Sequence, residues 1–177
     1  MGLIAPAHGP MYDRPDLIVS AYEDWVSDRV SNLVVIPYIS MHGSTAAMVD
    51  YLTAALAERG IKVQRFELST TDIGKLAMAL VDAATIVIGT PTVLGGPHPN
   101  MVAVTHLANA LRPKLRYAAI IASYGWGTRA VEQLSALIPN LKVEVLSTIR
   151  CKGLPREETL AALDALADTI QEKHAAL

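Results

Sequence analysis

Charge and aromatic rings are both scarce in this chain. Of its 177 residues, Asp, Glu, Lys and Arg account for 18% and aromatics for 5%, with one phenylalanine and two tryptophans. Fifteen Lys and Arg stand against 17 Asp and Glu, a formal charge of −2. That balance lacks the basic footprint of a nucleic-acid binder. Neither a basic run nor a basic amphipathic helix argues for a membrane surface. No apolar stretch approaches a membrane span, and the start shows no secretory signal. A single cysteine, Cys151, excludes an internal disulfide framework. It fits a reducing compartment, so the expected location is cytoplasmic. Cys151 itself reads as a small apolar residue near a strand end.

What the chain has in quantity is apolar surface, 51% of residues, enough in a chain of this length for one domain with a sizeable core. Apolar runs at Leu33–Tyr38, Ile61–Leu68, Ala84–Gly89, Tyr117–Tyr124 and Lys142–Arg150 alternate with helical patterns. Several runs are nearly continuous in Val, Ile and Ala, as parallel strands covered on both faces should be. The helices are predicted at Ser44–Arg59, Asp72–Leu80, Asn100–Leu111, Thr128–Ile138 and Glu157–Lys173, with Gly60 ending the first and Pro113 following the third. Five strand–helix repeats predict an α/β fold, a five-stranded doubly wound parallel sheet of flavodoxin-like order 2-1-3-4-5. Ahead of it, residues 1–30 form an appendage with one helix over Asp16–Asp28. In such a sheet, ligands bind at the carboxyl ends of the strands beside the switch point, where the loops after strands one, three and four converge.

Those three loops carry the unusual chemistry. After strand one come Ser40, Met41, His42, Gly43, Ser44 and Thr45. A strand turning through hydroxyl residues and a glycine into a helix N-terminus offers unpartnered N–H groups and positive dipole charge to an anion. Lacking the Gly-Lys-Ser/Thr ending of a P-loop, this cradle suits a permanently held phosphate monoester such as that of FMN. The plainer reading is that Ser40 or Ser44 caps a helix. After strand three, Pro91, Thr92, Val93, Leu94, Gly95 and Gly96 lie in a stiff, uncharged loop suited to a flat ring, or to a plain strand-to-helix connection. After strand four, Ser123, Tyr124, Gly125, Trp126 and Gly127 set two large rings at the mouth of the sheet. They are placed to stack on a heterocycle, or Trp126 simply lids the sheet edge. Neither ring-facing loop, Thr90–Asn100 or Ser123–Thr128, contains a carboxylate. A reduced, anionic flavin would meet little repulsion there, which predicts a less negative final couple than acidic rims give.

With these motifs, and with Gly89-Thr90-Pro91-Thr92 and Leu111-Arg112-Pro113-Lys114 leading into Ser123-Tyr124-Gly125-Trp126, the whole chain resembles the carboxyl-terminal flavodoxin-like domain of the flavodiiron (A-type flavo-) proteins. The resemblance implies that residues 31–177 are the FMN domain. Residues 1–30, with Ile4-Ala5-Pro6-Ala7-His8-Gly9-Pro10, resemble the tail of the metallo-β-lactamase-like domain that precedes it. In the family the histidine before Gly-Pro is a ligand of the di-iron centre. His8 matches that position, but the partner ligands are absent, so no metal is expected on it and the chain reads as an excised domain.

The resemblance further implies an FMN-binding electron-transfer module, with no catalytic residue of its own. It would pass electrons from a donor such as reduced deazaflavin, rubredoxin or an NAD(P)H-linked reductase. The acceptor would be a di-iron centre, absent from this chain, that reduces O2 or NO. The family pairs head-to-tail, so a homodimer is an open expectation. The alternative on this fold is an FMN-dependent NAD(P)H quinone or flavin reductase. A receiver-like domain would need carboxylates at the strand-one end, and Pro37-Tyr38-Ile39-Ser40 has none.

Overall fold

A computed structural model describes residues 2–177. Chain order is α1 (Pro15–Val26), β1 (Ser31–Tyr38), α2 (Ser44–Glu58), β2 (Lys62–Glu67), α3 (Ile73–Asp82), β3 (Ala83–Val93), β4 (Gly96–Pro97), α4 (Pro99–Leu111), β5 (Tyr117–Tyr124), α5 (Ala130–Ala136), β6 (Glu144–Lys152) and α6 (Glu157–His174). The long strands pair in parallel in the order β2-β1-β3-β5-β6, and β4 pairs antiparallel with the far end of β3. Apart from β4, this is the expected flavodoxin-like sheet with its switch point between β1 and β3.

Successive side chains of a strand point to opposite faces, and the core divides accordingly. Val35, Ile86, Ile88, Ile120 and Ala122 face Leu76, Leu80, Met101, Val104 and Leu134 of α3, α4 and α5. Val34, Ile36, Val87, Ile121 and Ile149 face Met48, Leu52, Leu56, Leu163 and Ile170 of α2 and α6. The near-continuous apolar composition of β1, β3 and β5 follows from this double burial. Cys151 is buried within the second layer, one residue inside the end of β6.

Several boundaries depart from the sequence reading: α1 ends at Val26 rather than Asp28, and α3 runs to Asp82 rather than Leu80. The segment after Gly89, read as loop, continues as strand to Val93 and folds back as a hairpin through β4. Its turn residues Leu94 and Gly95 have φ of 49° and 81°, the left-handed pair that a two-residue hairpin turn needs. Glycine and proline there masked an alternating Thr-Pro-Thr-Val strand end. The last strand runs over Glu144–Lys152, two residues later than expected. Helix α5 spans Ala130–Ala136 only, shorter than the predicted Thr128–Ile138.

Residues 2–14 form no long element. Ile4 and Tyr12 make an isolated antiparallel bridge, with His8 exposed in the intervening loop. Helix α1 is tied to the sheet's amino end, where Lys114 Nζ donates to Asp24 O at 3.2 Å and Arg116 donates to Asp28 O at 2.8 Å.

Candidate functional site

At the end of β1 the chain turns through Ser40–Gly43 into α2. Gly43 is the helix N-cap, with φ of 82° and no side-chain cap. Ser40 plays a local part, its Oγ accepting from Ala46 N–H at 3.2 Å. Ser40 thus caps the first turn of α2 from the preceding loop while Ser44 does not, and the N–H groups of residues 41–45 find no acceptor among the described residues. Five consecutive N–H groups are unpartnered here, those of Met41–Gly43 in the turn and those of Ser44 and Thr45 at the start of a 15-residue helix. Buried backbone donors are nearly always paired, so an exposed run of this kind is available to an anion.

The other loops close around this cradle. Thr45 is buried, and its hydroxyl lies 2.9 Å from Ser123 Oγ at the end of β5. The hairpin is held from both sides. Thr90 Oγ1 accepts from His98 N–H at 3.1 Å, Thr92 Oγ1 donates to Thr128 Oγ1 at 2.8 Å, and Arg129 N–H donates to Gly95 O at 2.8 Å. Close approach of β3 to α2 depends on Gly89, where a Cβ would meet Tyr38 Cβ at 2.9 Å and Thr45 Cγ2 at 3.4 Å. Burial pushes the Tyr38 phenol above its ordinary pKa, with Arg65 pulling the other way. The ring therefore stays uncharged at neutral pH.

A cleft of about 270 Å³ results, lined by Ser40, Met41, His42, Ser44, Thr45, Pro91, Thr92, Ser123, Tyr124, Gly125 and Gly153. No carboxylate lines it. The sequence did not single out Gly153. It turns the chain just past β6 with φ of 71°, and its N–H donates to Tyr124 O at 2.9 Å. A Lys-Gly pair at the end of the last strand was the available signal, missed because that strand was ended early. Tyr124, Gly125 and Gly153 also border a larger cleft of about 880 Å³ that runs along β6 to the start of α6, past Arg150, Lys152 and Arg156.

The remaining sequence candidates sit around the rim. Gly43 shapes the turn without lining the cleft, and Val93, Leu94, Gly95 and Gly96 form the hairpin tip above it. Leu94 and Trp126 are 104% and 101% exposed, so neither ring nor side chain packs on the protein. Gly127 is exposed beside Trp126. Among the described residues, no three His, Cys, Asp or Glu side chains gather as a metal site. Nor, among the described residues, is any helix long and apolar enough to cross a membrane.

A doubly covered parallel sheet of this order, with its switch point between β1 and β3, defines the flavodoxin-like fold class. Comparison with known proteins agrees. The chain is 26% identical over 165 residues to the coenzyme F420H2 oxidase of Methanothermobacter thermautotrophicus, covering 92% of this chain and 41% of that protein. To the nitric oxide reductase of Moorella thermoacetica it is 30% identical over 145 residues, 81% of this chain and 36% of that one. In fold it matches rubredoxin:oxygen oxidoreductase from Desulfovibrio gigas, with TM-score 0.91, 23% identity and coverage of 98% of this chain and 44% of the other. The flavodiiron protein of Giardia intestinalis gives 0.89 and 23%, over 99% of this chain and 45% of that one. A flavodoxin from the domain Archaea gives 0.68 and 21%, over 81% and 99%. No protein-family model matches the chain. The likeness seen in the sequence therefore holds: this chain matches the flavodoxin-like part of flavodiiron proteins. It spans about two-fifths of the length of those curated relatives.

Proposed function

We propose that the chain binds FMN in the cleft at the carboxyl ends of β1, β3 and β5 and serves as an electron-transfer module. The observation that carries this reading is the run of five unpartnered N–H groups at residues 41–45, opening into a cleft with hydroxyls and no carboxylate. A phosphate monoester fits that donor set, since it needs several hydrogen bonds and no neighbouring anion. Ser40, Met41, His42, Gly43, Ser44 and Thr45 would hold the phosphate, chiefly through backbone N–H groups. The Thr45–Ser123 hydroxyl pair fixes the wall beside it. Pro91 and Thr92 on one side, and Tyr124 and Gly125 on the other, would flank the ring. The rim residues Val93, Leu94, Gly95, Gly96, Trp126 and Gly127 would border or cover its exposed edge. Bound there, FMN would supply one- and two-electron redox chemistry, which the carboxylate-free walls would orient and shield.

The relatives' names give this module its setting. In a protein of that kind, residues 31–177 would be the flavin domain, and residues 1–30 would lead in from a metallo-β-lactamase-like domain bearing the di-iron centre that reduces O2 or NO. Its donor would be reduced deazaflavin, rubredoxin or an NAD(P)H-linked reductase, and the location the cytoplasm. His8 alone would hold no iron, because one imidazole cannot build such a site.

The test is a visible absorption and fluorescence titration of the purified chain with FMN. The reading expects flavin bands on the protein and quenched fluorescence. It also expects a dissociation constant about tenfold weaker in Thr45→Val and in Ser123→Ala, the loss of roughly one hydrogen bond. A chain that leaves FMN fluorescence unchanged would sink the proposal.

A further inference from the structure

Of the side chains that line the cleft, His42 alone can carry a positive charge; the lining has no lysine, no arginine and no carboxylate. His42 is exposed, and no hydrogen bond or ion pair engages its ring among the described residues. Its own N–H is the second of the five unpartnered donors at residues 41–45. An unengaged imidazole thus hangs from the middle of a run of neutral donors.

The groups around the turn leave that ring unclaimed. Tyr38, at the end of β1, is uncharged at neutral pH. Helix α2 has no acid in its first turn, and its Asp50 is paired with Arg65 of β2. Glu67, ending β2, accepts from the Ser69 N–H and hydroxyl. Asp72, ahead of α3, accepts from Gly74 N–H at 2.8 Å. Thr90–Asn100 and Ser123–Thr128 hold no carboxylate. Their titratable groups are Tyr124 and His98, whose Nδ1 accepts from Asn100 N–H at 3.2 Å. Beyond β6, Lys152, Arg156 and Glu158 line the adjoining cleft.

Two titrations meet where a phosphate monoester enters this turn. Its second proton leaves near pH 6, roughly. Backbone N–H groups only donate, so the cradle favours the dianion, which has no proton of its own to place. Histidine is the side chain that ordinarily gains or loses its charge between about pH 5 and 8. An imidazolium beside the dianion makes a charge-assisted hydrogen bond, stronger than a neutral ring can offer.

We propose that His42 is the residue by which this cleft selects a phosphorylated flavin over the same flavin without its phosphate, gripping the dianion as an imidazolium. The inference rests on the FMN reading and adds to it a specificity that fades as pH rises. Affinity for FMN peaks between about pH 6 and 7, because the phosphate is protonated below that range and the imidazole is neutral above it.

The test is a fluorescence titration with FMN and with riboflavin at pH 5.5, 6.5 and 8.5. It compares the unaltered chain with His42→Gln and His42→Lys, both at an exposed position and both checked for folding by circular dichroism. The unaltered chain should bind FMN about fourfold more tightly at pH 6.5 than at pH 8.5, the scale of one exposed ion pair. His42→Gln should lose that gain, and His42→Lys should hold FMN tightly at pH 8.5 as well. Riboflavin binding should ignore both substitutions. An FMN affinity that is flat between pH 6.5 and 8.5, a pH dependence unchanged in His42→Gln, or riboflavin weakened as much as FMN would each overturn the inference. In all three cases FMN still binds, so the flavin reading stands. An unaltered chain that binds neither flavin removes the reading and the inference together.

Discussion

His174 Nε2 lies 2.7 Å from Thr85 Oγ1, joining the last turn of α6 to the start of β3. On its other side His174 Nδ1 is 2.8 Å from Asn32 Oδ1, and Asn32 Nδ2 is engaged with Gly60 O. That leaves Nδ1–H to donate to Asn32, and in the neutral ring, which burial favours, Nε2 accepts from the threonine hydroxyl. Tyr117 stacks against the imidazole, with centroids 6.2 Å apart.

Burial holds the His174 pKa below its ordinary value of 6.5. The groups facing it are Thr85, Asn32 and Tyr117, none of them a carboxylate, while the Lys173 ammonium lies over the Tyr117 ring, 5.7 Å from its centroid, and pairs with Glu144. A depressed histidine pKa means that the unfolded chain binds the proton more readily. The stability it contributes is complete above about pH 6.5 and is lost as pH falls through the lowered folded value. Urea unfolding should show a lower midpoint at pH 5.5 than at pH 7.5, and His174→Phe should flatten that difference. The same variant should cost about 1–3 kcal/mol at pH 7.5, because Thr85 is left buried without its partner.

Gly89 is a spacer. A methyl group there meets Tyr38 Cβ at 2.9 Å, and both neighbours are held by the sheet and by α2. Gly89→Ala should destabilise by about 1–3 kcal/mol. By moving Thr45 away from Ser123 it should also weaken FMN binding. Chemical denaturation and a flavin titration measure the two effects separately.

Thr105 Oγ1 is the one buried side-chain polar atom with no hydrogen-bond partner among the described residues. It lies on the face of α4 turned to the core. Thr105→Val keeps the shape and removes the orphaned hydroxyl, so the variant should be more stable by about 1 kcal/mol. A fall in the unfolding midpoint would contradict that account.

The cleft lining has no carboxylate, and Lys152 lies next to Gly153 on the adjoining cleft. If FMN binds as proposed, its final couple should be less negative than in flavodoxins with acidic rims. Lys152→Glu should shift it to more negative potential, because added negative charge disfavours a reduced anion. Spectroelectrochemical titration of both proteins decides the point, and an unchanged potential would remove the lysine from the argument.

The alternation of apolar runs with helical patterns determined that there would be a doubly covered parallel sheet, because strands buried on both faces must be apolar along their length; the order β2-β1-β3-β5-β6 agrees with what five strand–helix repeats led one to expect. The Ser40–Thr45 turn was legible for a similar reason: hydroxyls and a glycine between a strand and a helix have local conformational meaning. Beyond local pattern the sequence was silent. It could not say that Thr45 meets Ser123 across 78 positions, that His174 reaches Thr85, or that Gly153 closes the cleft beside Tyr124. Nor could it tell that Trp126 and Leu94 stand clear of the protein while α1 keeps its apolar stripe uncovered. Those facts depend on which strand ends lie side by side, and only the packed sheet decides that.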